Sequence, residues 1–212
     1  MISKKIIQNQ NYENLLEVSH LIKNIEYFIF YGTLLGITRD NNIIEGDDDV
    51  DFMVDYNSKK LLLKKMTQLK TFKLNKKVSN NYFIQYVKIK NGIKTFVDFY
   101  LYLNNSKNNY IIDKHNWLGN INDNRFSLHF PKKIIFPIIK DGQFNFPQKP
   151  EVTCQYIYGK TWSVPLKKNI NYRAEIVNNK PFLVRRSYLG SITRRIKEIL
   201  NIVSYKKIVW LV

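Results

Sequence analysis

The sequence predicts an α/β (α+β) fold, and three observations carry that prediction. Helix-period and strand-period patterns alternate over the first hundred residues, a run of acids lies on an alternating strand pattern, and a lone acid follows on a later apolar strand. The length of 212 residues suits one main domain. With 44% hydrophobic and 14% aromatic residues, the chain has the material for a core.

The elements follow in order. Asn11 to Asn24 carries Leu15, Leu16, Val18, Leu21 and Ile22 at helical spacing, continued by Ile25, which predicts an amphipathic helix. Tyr27–Tyr31 (YFIFY) reads as a short buried strand that Gly32 ends, and Thr33 is placed to cap a short helix, TLLGITRD. Asp49–Val54 (DVDFMV) alternates acid and apolar, so Asp49 and Asp51 share one face with Asp47, while Val50, Phe52 and Val54 take the other. Asp48 is expected to point elsewhere. A lysine-rich helix (Ser58–Leu69) precedes strands at Phe72–Lys77, Tyr82–Lys90 and Thr95–Leu103. The turn dipeptide Asn91-Gly92 joins the last two. On the last, Phe96, Asp98 and Tyr100 share parity. Residues 104–130, rich in Asn, read as an irregular insertion, and VTCQYIYG as a helix with Cys154 in the core. The domain is expected over residues 1–180. Over 181–212, Leu189, Ile192, Ile196, Ile199, Leu200 and Val203 form one stripe, which predicts a helical C-terminal extension.

Composition removes several classes of function. One cysteine excludes an intrachain disulfide framework and any multi-cysteine metal site. The longest uncharged stretch, Tyr27 to Thr38, is too short to span a bilayer. The N-terminus has no apolar run of signal-peptide length, so a cytosolic protein is expected. The net charge of +17 points towards nucleic acid or an anionic surface. However, 27 Lys, 27 Ile and 25 Asn stand against 7 Arg, the residue usage of AT-rich coding, and solvated lysines explain much of that charge. Nucleic acid is therefore disfavoured as a partner. A peripheral contact with an anionic membrane through 186–212, whose stripe is flanked by basic residues and Trp210, is the alternative to simple docking of that helix on the core.

The acids are concentrated. Seven of the 17 (Asp40, Glu45, Asp47, Asp48, Asp49, Asp51 and Asp55) fall within 16 residues; none occurs from Tyr56 to Val97, and then Asp98 stands alone in TFVDFYLYL. Clustered carboxylates repel one another and hold on to their protons unless a cation joins them. Hard oxygen ligands suit magnesium, manganese or calcium, so the cluster reads as a divalent-metal site. The three histidines (His20, His115, His129) lie among unlike neighbours and are assigned to neither metal nor catalysis.

The stretch YFIFYGTLLGITRDNNIIEGDDDVDFMV resembles the LicD/fukutin family, whose signature runs strand, GTLLG, arginine, a short loop, then DDD-hydrophobic-D. FVDFYLY resembles the family's downstream strand with its single Asp, and FPIIKDGQFNFPQKPEVTCQYIYGKTWSVP its C-terminal segment. Together the likeness covers about Glu26 to Pro165 in family order. One departure is visible: Glu45-Gly46 stands where members usually carry Pro-Trp, which bears on the wall of the donor pocket. The resemblance implies a nucleotidyltransferase-like mixed sheet flanked by helices. It also implies transfer of phosphocholine or a phospho-alditol from a CDP-activated donor to a hydroxyl of a glycan or glycolipid acceptor, such as lipopolysaccharide, capsule or teichoic acid. Mg2+ or Mn2+ is then expected on Asp49 and Asp51, with Asp47 on the same parity. Asp98 completes the metal site or accepts the hydroxyl proton. Gly32 allows close approach of a phosphate, Thr33 offers its N–H with the helix start, and Arg39 pairs with a donor phosphate. Tyr158, Gly159 and Trp162 either line the site or pack. A true nucleotidyltransferase, releasing pyrophosphate, is the alternative, as is a silent glycan-binding relative.

Overall fold

In the computed structural model the described residues are 3–105, 109–117, 127–135, 139–140, 142–165, 172–177, 180–185 and 208–209. Their centre is a curled mixed sheet of seven strands, whose main path runs β1 (Tyr27–Ile29), β2 (Asp51–Asp55), β5 (Ile93–Asn105), β4 (Phe83–Lys90) and β3 (Phe72–Leu74). β6 (Tyr110–Trp117) pairs with the far end of β5, and β7 (Ser127–Pro131) with β6. Only β2 and β5 run parallel within this sheet. β4 and β5 form a hairpin closed by Asn91 and Gly92, both at positive φ (52° and 76°), as a two-residue turn between right-twisting strands requires.

One face of the sheet is apolar for a reason visible in the strand period. Val50, Phe52 and Val54, with Val97, Phe99 and Leu101 on β5, are all fully buried. Phe52 stacks on Phe99 at 5.4 Å and meets the edge of Tyr27 at 5.6 Å. They share a core with Leu15 and Val18 of α1 (Lys4–Leu21), with Ile22 just after it, and with Leu62 and Met66 of α3 (Lys59–Met66). Lys88 and Lys90 on β4 pair with Glu17 and Glu13 of α1, both at 2.6 Å, tying the helix across the sheet. The opposite parity carries Asp51 and Asp98 and, further along, the aromatic side chains Tyr100 and Tyr102. α2 (Tyr31–Asp40) packs against β2 and against α5 (Pro150–Tyr158), which also meets the short α4 (Lys132–Ile135); a proline starts α5 and its Cys154 is fully buried.

Four expectations change. α1 begins at Lys4 rather than Asn11, because Gln8, Gln10, Asn11 and Asn14 are buried polar residues that break the apolar period. α2 begins at Tyr31, so Thr33 lies inside the helix and does not cap it; its hydroxyl accepts a hydrogen bond from Asp51 N at 2.7 Å instead. Residues 104–130 are not an irregular insertion throughout: β6 and β7 extend the sheet and bury Ile111, Ile112 and Phe130. Finally, residues 181–185, the start of the expected helical extension, are strand. β10 (Tyr172–Val177) and β11 (Lys180–Arg185) form an antiparallel pair that β12 (Ile208–Val209) joins through β10. The expected helix over the remainder of 181–212, and with it the membrane-contact segment, lies largely outside the described residues. No helix among the described residues is long and apolar enough to cross a membrane.

Gly36 reports on this packing directly. A Cβ there would come within 2.6 Å of the Asn42 carbonyl oxygen and 2.9 Å of the Ile44 nitrogen, both backbone atoms that cannot swing aside. Gly36→Ala is expected to lower the unfolding free energy by about 1–3 kcal/mol, the usual range for overpacking. Denaturant melts of the two proteins check this, and an unchanged midpoint would contradict the packing described.

Candidate active site

The parallel pairing of β2 with β5 places the acids. Asp51 and Asp98 are register partners on adjacent strands. The ladder continues upstream of β2, with Phe96 N donating to Asp48 O (2.8 Å), Val50 N to Phe96 O (3.1 Å) and Asp98 N to Val50 O (2.8 Å). Residues 48–51 are thereby held extended beside 96–98, and alternation turns Asp49 and Asp51 to the face of Asp98. Carboxylate oxygens of Asp49, Asp51 and Asp98 lie within 4.8 Å of one another. Asp47, Asp48 and Asp49 form a second such triple, so Asp49 belongs to both. Asp51 and Asp98 are buried, Asp47 and Asp49 half-buried, and Asp48 exposed.

Two of the carboxylates and the backbone of the acidic loop are held by neighbouring elements. Asn11 of α1 donates from Nδ2 to Asp47 O at 2.9 Å, anchoring the acidic loop, while Gln8 Nε2 donates to Ile43 O further up that loop. Thr33 N donates to Asp51 Oδ2 at 3.3 Å, so the first turn of α2 is satisfied by a carboxylate from the neighbouring strand. Gln85 Nε2 donates to Asp98 Oδ1 at 2.9 Å. Gly32 contributes by having no side chain: a Cβ would stand 3.1 Å from Asp47 Oδ2 and 3.2 Å from Asp51 Oδ2, where atoms are already crowded.

These acids are unbalanced. Among the described residues no salt bridge reaches Asp47, Asp49, Asp51 or Asp98, although the chain carries +17. Burial raises the pKa of Asp47 to about 8, with Asp49 adding repulsion. Burial and Asp49 raise Asp98 to about 7, against the Gln85 hydrogen bond that lowers it. Asp49 and Asp51 are also raised, first by desolvation, and Asp51 further by Asp49, Asp98 and Asp47. Tyr100 and the buried Tyr158 border the cluster. Their hydroxyls are pushed up first by burial and then by these carboxylates, and Tyr158 is also part of the apolar core.

A converging donor set of carboxylate oxygens, with no counter-cation among the described residues, fits a hard divalent ion. Asp49, Asp51 and Asp98 could hold one, with Asp47 and Asp48 adjoining through Asp49. Comparison with known families gives a match over residues 24–145 to the LicD/FKTN/FKRP nucleotidyltransferase domain. The chain belongs to the LicD/FKTN/FKRP family. No curated protein matches the chain. The LicD-type match runs from β1 through β8 (Ile139–Lys140) to the first residue of β9 (Asn145–Phe146) and so contains every carboxylate of the cluster. Membership in this family suggests a transferase.

The structure brings together Gly32, Thr33, Asp47, Asp49, Asp51 and Asp98. It does not bring Arg39 to them. Arg39 lies seven residues beyond Gly32, roughly 10 Å along the α2 axis. Its guanidinium is held by Asp40 through Nε to Oδ1 (2.9 Å) and Nη2 to Oδ2 (2.6 Å). Gln85 was missed by the sequence reading, yet a two-residue turn at Asn91-Gly92 pairs Lys90 with Ile93 and, counting back, Gln85 with Asp98. The Tyr31 hydroxyl, which donates to Asp113 Oδ2, gave no sequence signal, because β6 was not expected.

A pH dependence follows from the raised values. Between the ordinary carboxylate pKa of about 4 and the folded values near 7 and 8, the folded chain binds more protons than the unfolded one. The stability these protons contribute is complete below about pH 4 and is lost as pH rises through about 7 to 8. The metal-free protein should therefore melt at lower temperature at about pH 9 than at about pH 5, and Asp47→Asn should flatten that slope. Thermal melts in a chelator read it directly; a melting temperature that climbs over the range, unaffected by the substitution, is the contrary result.

Proposed function

We propose that the protein transfers a phospho-substituent, of the phosphocholine or phospho-alditol type, from a CDP-activated donor to a hydroxyl of a cell-surface glycan, and releases CMP. The observation that carries this reading is the uncompensated pairing of Asp51 with Asp98 across the one parallel junction of the main sheet, with Asp49 converging on both. Membership in the LicD/FKTN/FKRP family supports the reaction class.

Phospho-group transfer needs neutralised phosphate oxygens and an acceptor held in line. A bound Mg2+ or Mn2+ would supply charge for the diphosphate and polarise it. The chain's own groups do the rest. Asp49 and Asp51, with Asp47 adjoining, fix the position of that charge, and Thr33 and Gly32 set the distance of α2 from it. The acceptor oxygen forms a bond to the phosphorus that carries the head group, the bond from that phosphorus to the CMP oxygen breaks, and CMP departs. Asp98, oriented by Gln85 and converging with Asp49 and Asp51, is the carboxylate placed to accept the acceptor's proton.

Metal-dependent release of CMP from CDP-choline, CDP-ribitol, CDP-glycerol or CDP-ethanolamine is the expected result of a donor screen. Pyrophosphate release from a nucleoside triphosphate would favour the nucleotidyltransferase alternative instead. Asp49→Asn and Asp51→Asn should abolish turnover without lowering the melting temperature of the metal-free protein, because each removes repulsion from the cluster. Turnover near that of the unmodified protein in both variants overturns the assignment. Asp98→Asn should lower the rate about 10²- to 10⁴-fold, as loss of a general base does. Full recovery in excess manganese would leave Asp98 a ligand only.

A further inference from the structure

Tyr31 stands in the left-handed region, at φ 42°, where the chain turns from β1 into α2. Such a backbone is rare for a bulky residue and persists only where its surroundings over-determine it. A glycine would adopt it freely, so the tyrosine side chain must contribute something that offsets the strain. Its hydroxyl donates to Asp113 Oδ2 at 2.5 Å. Asp113 is fully buried on β6, and its other oxygen accepts from His115 N at 2.8 Å, which fixes the carboxylate's direction. The ring is gripped as well, meeting Phe30 at 4.9 Å and Tyr100 at 4.8 Å, both edge to face.

What this tether holds is the elbow itself. Gly32, the next residue, lies against Asp47 Oδ2 and Asp51 Oδ2, and Thr33, one further, exchanges hydrogen bonds with Asp51 in both directions. We propose that Tyr31 and Asp113 form a clamp from β6 to the β1–α2 elbow that keeps the first turn of α2 in register with the acidic cluster, making both of them positioning residues for cation binding and transfer. The inference rests on the function proposed above only for its effect on turnover; its effect on cation binding stands apart from any donor.

Manganese alone is the probe, titrated into the full chain and followed by calorimetry or by its paramagnetic resonance signal. Tyr31→Phe keeps the ring and removes the hydroxyl; Asp113→Leu keeps about the same size and removes both acceptor oxygens. Each should weaken manganese binding several-fold or more. The double variant should be scarcely weaker than the worse single one, because both break the same link. Tyr102→Phe is the control. It removes a buried tyrosine hydroxyl bond of the same 2.5 Å length, to Glu26, that does not reach the elbow, and it should lower the melting temperature while leaving manganese affinity unchanged. Wherever a donor is turned over, Tyr31→Phe should lower kcat more than it raises KM. Undiminished manganese affinity in Tyr31→Phe, or an equal loss in Tyr102→Phe, overturns the clamp. A folded protein that binds manganese through an intact clamp but turns over no donor refutes the proposed reaction and leaves the clamp standing.

Discussion

Four carboxylates are held together where water is scarce, and among the described residues no protein cation pairs with them. Left to itself, such a group would disperse, since each acid is destabilised by burial and by its neighbours. The surrounding structure prevents that dispersal. α1 pins the backbone of the acidic loop through Asn11, α2 fastens Asp51 through Thr33, and the β4–β5 hairpin steadies Asp98 through Gln85. The absence of a side chain at Gly32 is part of the same arrangement, since it allows a helix start to press directly on two acids.

The energy that makes this tolerable lies on the other side of the same strands. Val50, Phe52, Val54, Val97, Phe99 and Leu101 alternate with the acids and are buried against α1 and α3. Burial of side chains of this size contributes about 1.5–3 kcal/mol each against leaving them exposed. Slipping either strand by one residue would turn this set outwards and the acids inwards, so the hydrophobic face fixes the register of the acidic one. Core and site are two parities of one backbone.

That coupling explains what was legible in the sequence. The two-residue period of DVDFMV gave the face shared by Asp47, Asp49 and Asp51, and the Asn91-Gly92 turn gave the hairpin that carries Asp98, both from local rules. The parallel contact of Asp51 with Asp98, 47 residues apart, needed the tertiary fold or a family resemblance. Polar burial hid the start of α1, because Gln8 and Asn11 serve loop carbonyls that no periodicity reveals. The helix start at Tyr31 was obscured by a left-handed backbone that a tyrosine rarely adopts. β6 and β7 were masked by the asparagines around them, and with them went Asp113. Arg39, expected to meet a donor phosphate, lies further along α2 and pairs with Asp40.

In the site proposed above, the metal-free cluster retains protons that a bound divalent cation would displace. Calorimetric titration of manganese near pH 7, repeated in two buffers of different ionisation enthalpy, measures that exchange. The raised values of Asp47 and Asp98 predict release of about one proton or more for each ion bound, and tighter binding as pH rises. Binding without proton release, at an affinity that does not change with pH, would contradict it.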